Sequence, residues 1–269
     1  MMTWAHRPPV AALVRALCYG LLLFPSTIFG LYAFATRWFY PQLWPQEWSL
    51  APLRRQLSNP QTTETLGTSL LIASLVTALS LVIAYPAART LGLRRIPGRG
   101  FFELLFFLPT AVPTVAIGIG LNIFALRIGL AGTIAGVVLA QLIPVLPYTL
   151  FALVGVFARY DPHYEYQALA LGAARPRVFL RVTLPLVLPG VLVATVFAFL
   201  VSWSQYLLTL LVGGGQISTL PLLLFAATAG GNNTSIAILA LIFILPPLLS
   251  IALAARYLAD RGAVVGGQY

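Results

Sequence analysis

The sequence predicts an all-α polytopic membrane protein with about six transmembrane helices and both termini in the cytoplasm. Three observations carry that expectation. Hydrophobic residues make up 59% of the 269 residues, charged residues only 8%, and mean hydropathy is +0.92. A soluble domain of this length needs far more charge to cover its surface. The apolar residues fall in six continuous blocks, near 13–35, 65–88, 101–125, 133–157, 186–212 and 235–258. Each is close to the roughly 20 residues that a helix needs to cross hydrocarbon, and their continuity argues against the alternating pattern of a β-barrel. Finally, all sixteen basic residues are Arg, and the connections share them unevenly. Twelve fall on one side (Arg7, Arg15, Arg89, Arg94, Arg95, Arg99, Arg159, Arg175, Arg177, Arg181, Arg256, Arg261) and four on the other (Arg37, Arg54, Arg55, Arg127). By the positive-inside rule the first side is cytoplasmic. The same partition accounts for the net charge of +10 without nucleic-acid binding.

The first block follows Arg7 and Arg15 and contains the single cysteine, Cys18. It ends in Ala33-Phe34-Ala35, so a cleaved signal peptide is the alternative to a span, although the run is long for one. Segment 36–63 carries Trp38, Phe39, Tyr40, Trp44 and Trp48 and suits an interfacial belt on the outer leaflet, or a substrate contact. The third block opens near Glu103, either a solvated acid favoured by a helix N-terminus or an embedded functional group. Pro25, Pro109, Pro113, Pro144, Pro147, Pro246 and Pro247 lie inside blocks, where membrane helices tolerate them as kinks. Loop 213–234 is bracketed by glycines and holds an apolar stretch, 220–229, too short to span; a re-entrant or interfacial helix fits. The chain thus divides into a first helix with its aromatic segment (1–61), a core of five spans (62–258) and a tail (259–269).

Catalytic chemistry has little support. There is no lysine, which excludes a phosphate-binding Walker loop, and the two histidines, His6 and His163, lie in cytoplasmic segments. No G-x-S-x-G or H-E-x-x-H motif occurs, and no metal-ligand spacing is present. An intramembrane protease lacks a supporting Ser/His or Asp pair, and a proton-coupled carrier lacks an obvious buried acid relay.

The loop between the fourth and fifth blocks, 159–189, is long and helix-friendly. Asp161 can cap a helix with Pro162 at its first position, and Gly172 either interrupts that helix or permits close approach by a partner. Here the sequence resembles the permease subunit of binding-protein-dependent ABC importers of the type I kind. The family's loop motif is E-A-A, three residues, G, nine residues, I-x-L-P. This chain reads Tyr166-Gln167-Ala168, three residues, Gly172, nine residues, Val182-Thr183-Leu184-Pro185. Tyr166 and Gln167 depart from the motif, Val182 replaces Ile, and Glu165 matches the acid that often precedes it. Ala84–Arg89, Leu108–Pro113 and Ser202–Tyr206 resemble other family segments, the last those of the spermidine/putrescine, iron and thiamine branch.

The resemblance implies a type I ABC importer permease fold in a bacterial inner membrane, with no enzymatic activity and no cofactor of its own. It implies an ATPase dimer carrying ATP and Mg, a second permease, identical or related, and a periplasmic or lipid-anchored binding protein. Glu165, Tyr166, Gln167, Ala168 and Gly172 would form the surface that docks on the ATPase, with Val182, Leu184 and Pro185 closing the loop into the fifth span. The polar residues within blocks, Asn122, Gln141, Thr149, Ser202, Ser204, Gln205 and Thr209, either pack between helices or line a pathway; Asn122, Gln141 and above all the crowded turn Ser202-Trp203-Ser204-Gln205 are the pathway candidates. The absence of acids near Ser202–Gln205 argues against a polycationic substrate, which would be costly to desolvate there. An ion-gradient-driven secondary transporter is the alternative.

Overall fold

The computed structural model describes residues 8–38, 42, 44–94 and 96–266; His6, Arg7, Phe39, Tyr40, Arg95 and the last three residues of the tail lie outside them. The chain forms two compact units, Met1–Thr63 with Leu223–Leu245, and Glu64–Leu222 with Pro246–Tyr269.

In the first unit, α1 (Pro8–Phe34) leads into β1 (Ala35–Arg37), which pairs antiparallel with β2 (Glu47–Trp48), placing Ala35 opposite Trp48. The Tyr32 and Trp38 rings stack with centroids 4.4 Å apart, and the Trp38 indole N–H donates to the Gln42 carbonyl. The segment read as an interfacial belt therefore contains a short hairpin, followed by α2 (Ala51–Leu57), whose first turn accommodates Pro52, where the missing N–H is not needed.

The chain continues through α3 (Pro60–Leu93), α4 (Arg99–Ala111), α5 (Thr114–Arg127), α6 (Ile134–Phe157), α7 (His163–Ala170) and α8 (Arg175–Val178). A π-helical turn, Phe179–Thr183, joins α8 to α9 (Leu184–Trp203); then come α10 (Leu207–Gly213), α11 (Leu220–Ala229) and α12 (Asn233–Gly266). Among the described residues four helices are long and apolar enough to cross a membrane: α3, α6, the continuous run Arg175–Trp203, and Asn233–Ala259. The described apolar stretch of α1, Ala12–Leu21, is shorter than that.

Two expected spans take a different form. The third is two helices, α4 and α5, bent by 95°. Its cause is local: Pro113 forces the preceding Val112 into extended backbone (φ −86°, ψ 136°), and α5 restarts at Thr114. If α4 and α5 count as one broken span, the number is five. The fifth expected span, 186–212, runs earlier in the chain. Its helix starts at Arg175 and stops at Trp203, and α10 is a separate element. The apolar stretch 220–229 is a short helix, as its length predicted.

In the second unit α6 is the central helix. It packs along α9 and also meets α4, α5 and α10. One core cluster joins Ala84 and Ala88 of α3 to Leu150, Leu153 and Phe157 of α6 and to Val187 and Ala194 of α9. A second joins Ile72 and Val76 to Val137, Val145 and Ala198. Small residues let the helices approach: a Cβ added at Gly190 of α9 would overlap the Val156 side chain of α6.

Candidate functional site

The motif residues of the loop fold into a compact helical corner. Asp161 Oδ1 accepts from the His163 backbone N–H at 2.9 Å and contacts His163 Nδ1 at 2.6 Å. Pro162 takes the N-cap position and His163 starts the helix, one residue later than the sequence suggested. These bonds, backbone first, hold the Asp161 carboxyl below its usual range.

α7 ends in a complete glycine stop. Gly172 adopts φ +83°, its N–H bonds to the Leu169 carbonyl at 2.9 Å, and the Ala173 N–H bonds to the Ala168 carbonyl at 3.1 Å. This is the Schellman arrangement, in which a left-handed residue satisfies the last carbonyls of a helix. No atom lies within 4 Å of the position a Gly172 Cβ would take. Gly172 is therefore required by its backbone conformation and not by crowding within this chain.

The closing residues of the motif lie in the π-turn and the start of α9. The Leu184 N–H bonds to the Phe179 carbonyl, five residues back. Pro185 has no N–H to continue an ordinary α-helical ladder, and the widened turn lets the chain pass through it into α9 as one helix.

Glu165 is turned inward. Its Oε2 accepts from Arg89 Nη2 at 2.6 Å, and its Oε1 accepts from the Tyr160 hydroxyl and from Thr183 Oγ1, each at 2.8 Å. Its side chain is 13% exposed and that of Arg89 36%. One carboxylate thus ties together α3, the end of the α6 connection, α7 and the π-turn. Burial alone would raise the Glu165 pKa, but the donors Tyr160, Thr183 and Arg89 outweigh it and hold the carboxyl below its usual range. Burial pushes the Tyr160 phenol up to about 12, a shift to which the neighbouring Glu165 adds. Around this carboxylate lies a cavity of about 320 Å³ lined by Arg89, Glu165, Leu169, Arg175, Val178, Phe179 and Thr183.

The remaining surface of α7 carries exposed large side chains: Tyr164, Tyr166 and, 89% exposed just past its end, Leu171. Gln167 is exposed and Ala168 half-buried. Val182, Leu184 and Pro185 are half-buried. Sequence reasoning missed Arg89, Tyr160 and Thr183 as a unit. They lie 76, 5 and 18 positions from Glu165, so no local spacing joins them.

The pathway candidates separate into two groups. Gln141, Ser202 and Trp203 are enclosed, at 1%, 3% and 2% exposure. Ser202 Oγ donates to Gln141 Oε1 at 2.6 Å, and Gln141 Nε2 donates to Thr209 Oγ1 at 2.9 Å. These groups satisfy one another between α6, α9 and α10, and Gln141 and Ser202 line a very small recess together with Ser69, Gln205 and Thr219. Ser204 is exposed, and Gln205 and Asn122 are half-buried. The turn expected in mid-span at Ser202–Gln205 is where α9 stops, closed by a Gln205 N–H bond to the Ser202 carbonyl at 3.1 Å.

Residues 80–263 match the family described as binding-protein-dependent transport system inner membrane component. The molybdenum transport system permease protein ModB of Mycobacterium tuberculosis is 33% identical over 230 residues, covering 79% of this chain and 84% of that protein. The diacetylchitobiose uptake system permease protein DasC of Streptomyces coelicolor is 29% identical, covering 61% and 60%. The backbone superimposes on a chain of a bacterial ABC transporter involved in the import of the acidic polysaccharide alginate, with TM-score 0.72, 15% identity, and coverage of 96% and 99%. The fold is that of a type I ABC importer permease, and ATP hydrolysis in such transporters belongs to a separate subunit. This chain belongs to the binding-protein-dependent inner-membrane permease family and is a multi-pass permease subunit of an ABC importer.

Proposed function

We propose that this permease forms half of a substrate pathway and receives its drive through α7, docked on one subunit of an ATPase dimer that carries ATP and Mg. A second permease, identical or related, supplies the other half, and a periplasmic or lipid-anchored binding protein delivers the substrate. Both termini and α7 lie on the cytoplasmic side, as the arginine partition supports. The observation that carries the docking surface is the exposure of Tyr164, Tyr166 and Leu171 on and just past a short helix fixed from beneath. An apolar side chain as exposed as Leu171 gains most by entering a partner's groove. The test is co-purification of the ATPase with wild type and with Leu171→Asp. Loss of the ATPase in the variant, with permease yield unchanged, is expected; equal retention overturns α7 as the dock.

For cargo we propose a small oxyanion. The support is the molybdenum permease relative and the placement of all six acids, Glu47, Glu64, Glu103, Asp161, Glu165 and Asp260, at or beyond the ends of the expected spans. Uptake of labelled molybdate into cells carrying the complete system, competed by tungstate and not by spermidine, tests it. Competition by spermidine alone overturns it.

A further inference from the structure

We infer that the Glu165–Arg89 ion pair is a strut that carries motion of α7 to α3, so that Glu165 is a positioning residue for coupling and not part of the docking surface. The inference rests on α7 being the dock.

The argument begins with what lies between these helices. α7 packs against α8 and the π-turn, and so it has a direct mechanical path into α9. Toward α3 the situation differs. The cavity beside Glu165 is lined by Arg89 of α3 together with Glu165 and Leu169 of α7 and with residues of α8 and the π-turn. Close packing transmits displacement because interiors are dense, and α3 meets the π-turn through the Tyr85 and Phe179 rings, whose centroids are 6.0 Å apart; α7 itself reaches α3 through a side-chain bond. That bond joins Arg89 Nη2 of α3 to Glu165 Oε2 of α7 at 2.6 Å, at the edge of the cavity. The other carboxylate oxygen is held from two more directions, by Tyr160 after α6 and by Thr183 in the π-turn. A group anchored at three points cannot swing to follow one partner, so a push on α7 displaces Arg89 and Thr183 together. α3 and the start of α9 therefore move as one body with α7.

The pair also has the right character for this task. Glu165 is largely enclosed while Arg89 keeps a third of its surface in solvent. Removing the charge of a hydrogen-bonded, mostly buried carboxylate costs more than removing an exposed one. The strut is thus firm in the resting structure without requiring a fully buried arginine.

The experiment uses the assembled transporter, with its ATPase and binding protein, in proteoliposomes. ATP hydrolysis and substrate uptake are measured together for wild type, Glu165→Gln, Arg89→Gln and the charge-exchanged pair Glu165→Arg with Arg89→Glu. The expected result is that both neutral variants retain the ATPase and hydrolyse ATP, while substrate moved per ATP falls about tenfold. The exchanged pair recovers at least a third of the lost ratio. A merely structural role would lower assembly and both rates in proportion and would leave the ratio unchanged. The strut is overturned if Glu165→Gln keeps the wild-type ratio within twofold, if that variant sheds the ATPase, or if the exchanged pair recovers nothing. Failure of the unaltered chain to hold an ATPase at all would instead overturn the reading of α7 on which the strut rests.

Discussion

Ser202 donates a 2.6 Å hydrogen bond to the Gln141 carboxamide and so fastens α9 to α6 at the point where α9 ends. The same carboxamide donates to Thr209 of α10. A helix that stops inside a membrane leaves polar groups that lipid cannot satisfy, and Gln141 reaches both sides of this break. Replacing Gln141 with Leu leaves the Ser202 hydroxyl without that partner. Interhelical hydrogen bonds of this kind are worth about 0.6–1.7 kcal/mol in membrane proteins. Gln141→Leu and Ser202→Ala are each expected to lower the thermal midpoint of the purified chain. Because both positions are enclosed, the order of preference among competing substrates is expected to stay that of wild type. A reordered preference would mean that these residues face the pathway after all.

Gly172 makes a graded prediction. Its φ of +83° lies in the region that costs an ordinary L-residue about 1–2 kcal/mol, while Asn is tolerated there better than other non-glycine residues. The added side chain meets open space within this chain, so backbone strain sets the order. ATPase retention is expected to fall from Gly to Asn to Ala to Val. Retention that instead tracks side-chain volume, with Ala above Asn, would point to close approach by the partner as the reason for glycine.

How far the sequence reveals this architecture depends on whether the signal is local. For Gly172 the sequence allows either a helix stop or close approach by a partner, and its φ of +83° shows the stop. The 95° bend between α4 and α5 was not predicted, because a proline in an apolar block is compatible with a kink as well as with a break. Pro113 decides for a break through the extended Val112 before it. The polar residues Gln141, Ser202 and Gln205 were legible as a group that must avoid lipid. Their distribution between packing and surface was not, since it depends on bonds between positions 61 and 68 residues apart. Glu165 shows the same limit: its place in the motif was plain, and its inward direction follows from Arg89, on another helix.

Gly190 offers a test of the α6–α9 contact. A Cβ there would overlap Val156, and overpacking a close-packed contact costs typically about 1–3 kcal/mol. Gly190→Ala is expected to reduce stability and folded yield, and Val156→Ala in the same chain is expected to restore most of the loss by clearing the space. If the second substitution adds to the damage, the two residues are not in contact. Thermal unfolding in detergent of the two single variants and the double variant decides it, since coupled positions depart from additivity.

The pH dependence of stability gives a separate check on the Glu165 cluster. The folded carboxyl is held below its ordinary value of 4.5, so the unfolded chain binds the proton more readily. Stability from this group is therefore fully present above about pH 4.5, and it is lost as pH falls through the lower folded value. Tyr160, pushed up to about 12, keeps its hydroxyl proton throughout that range and remains a donor. The stability difference between wild type and Glu165→Gln is thus expected to be constant from pH 6 to 8 and to shrink only below about pH 4.5. A difference that already declines between pH 7 and 6 would place the titration of this carboxylate well above its ordinary range. That would mean burial outweighs its three donors, and that Arg89 does not hold it in the charged form.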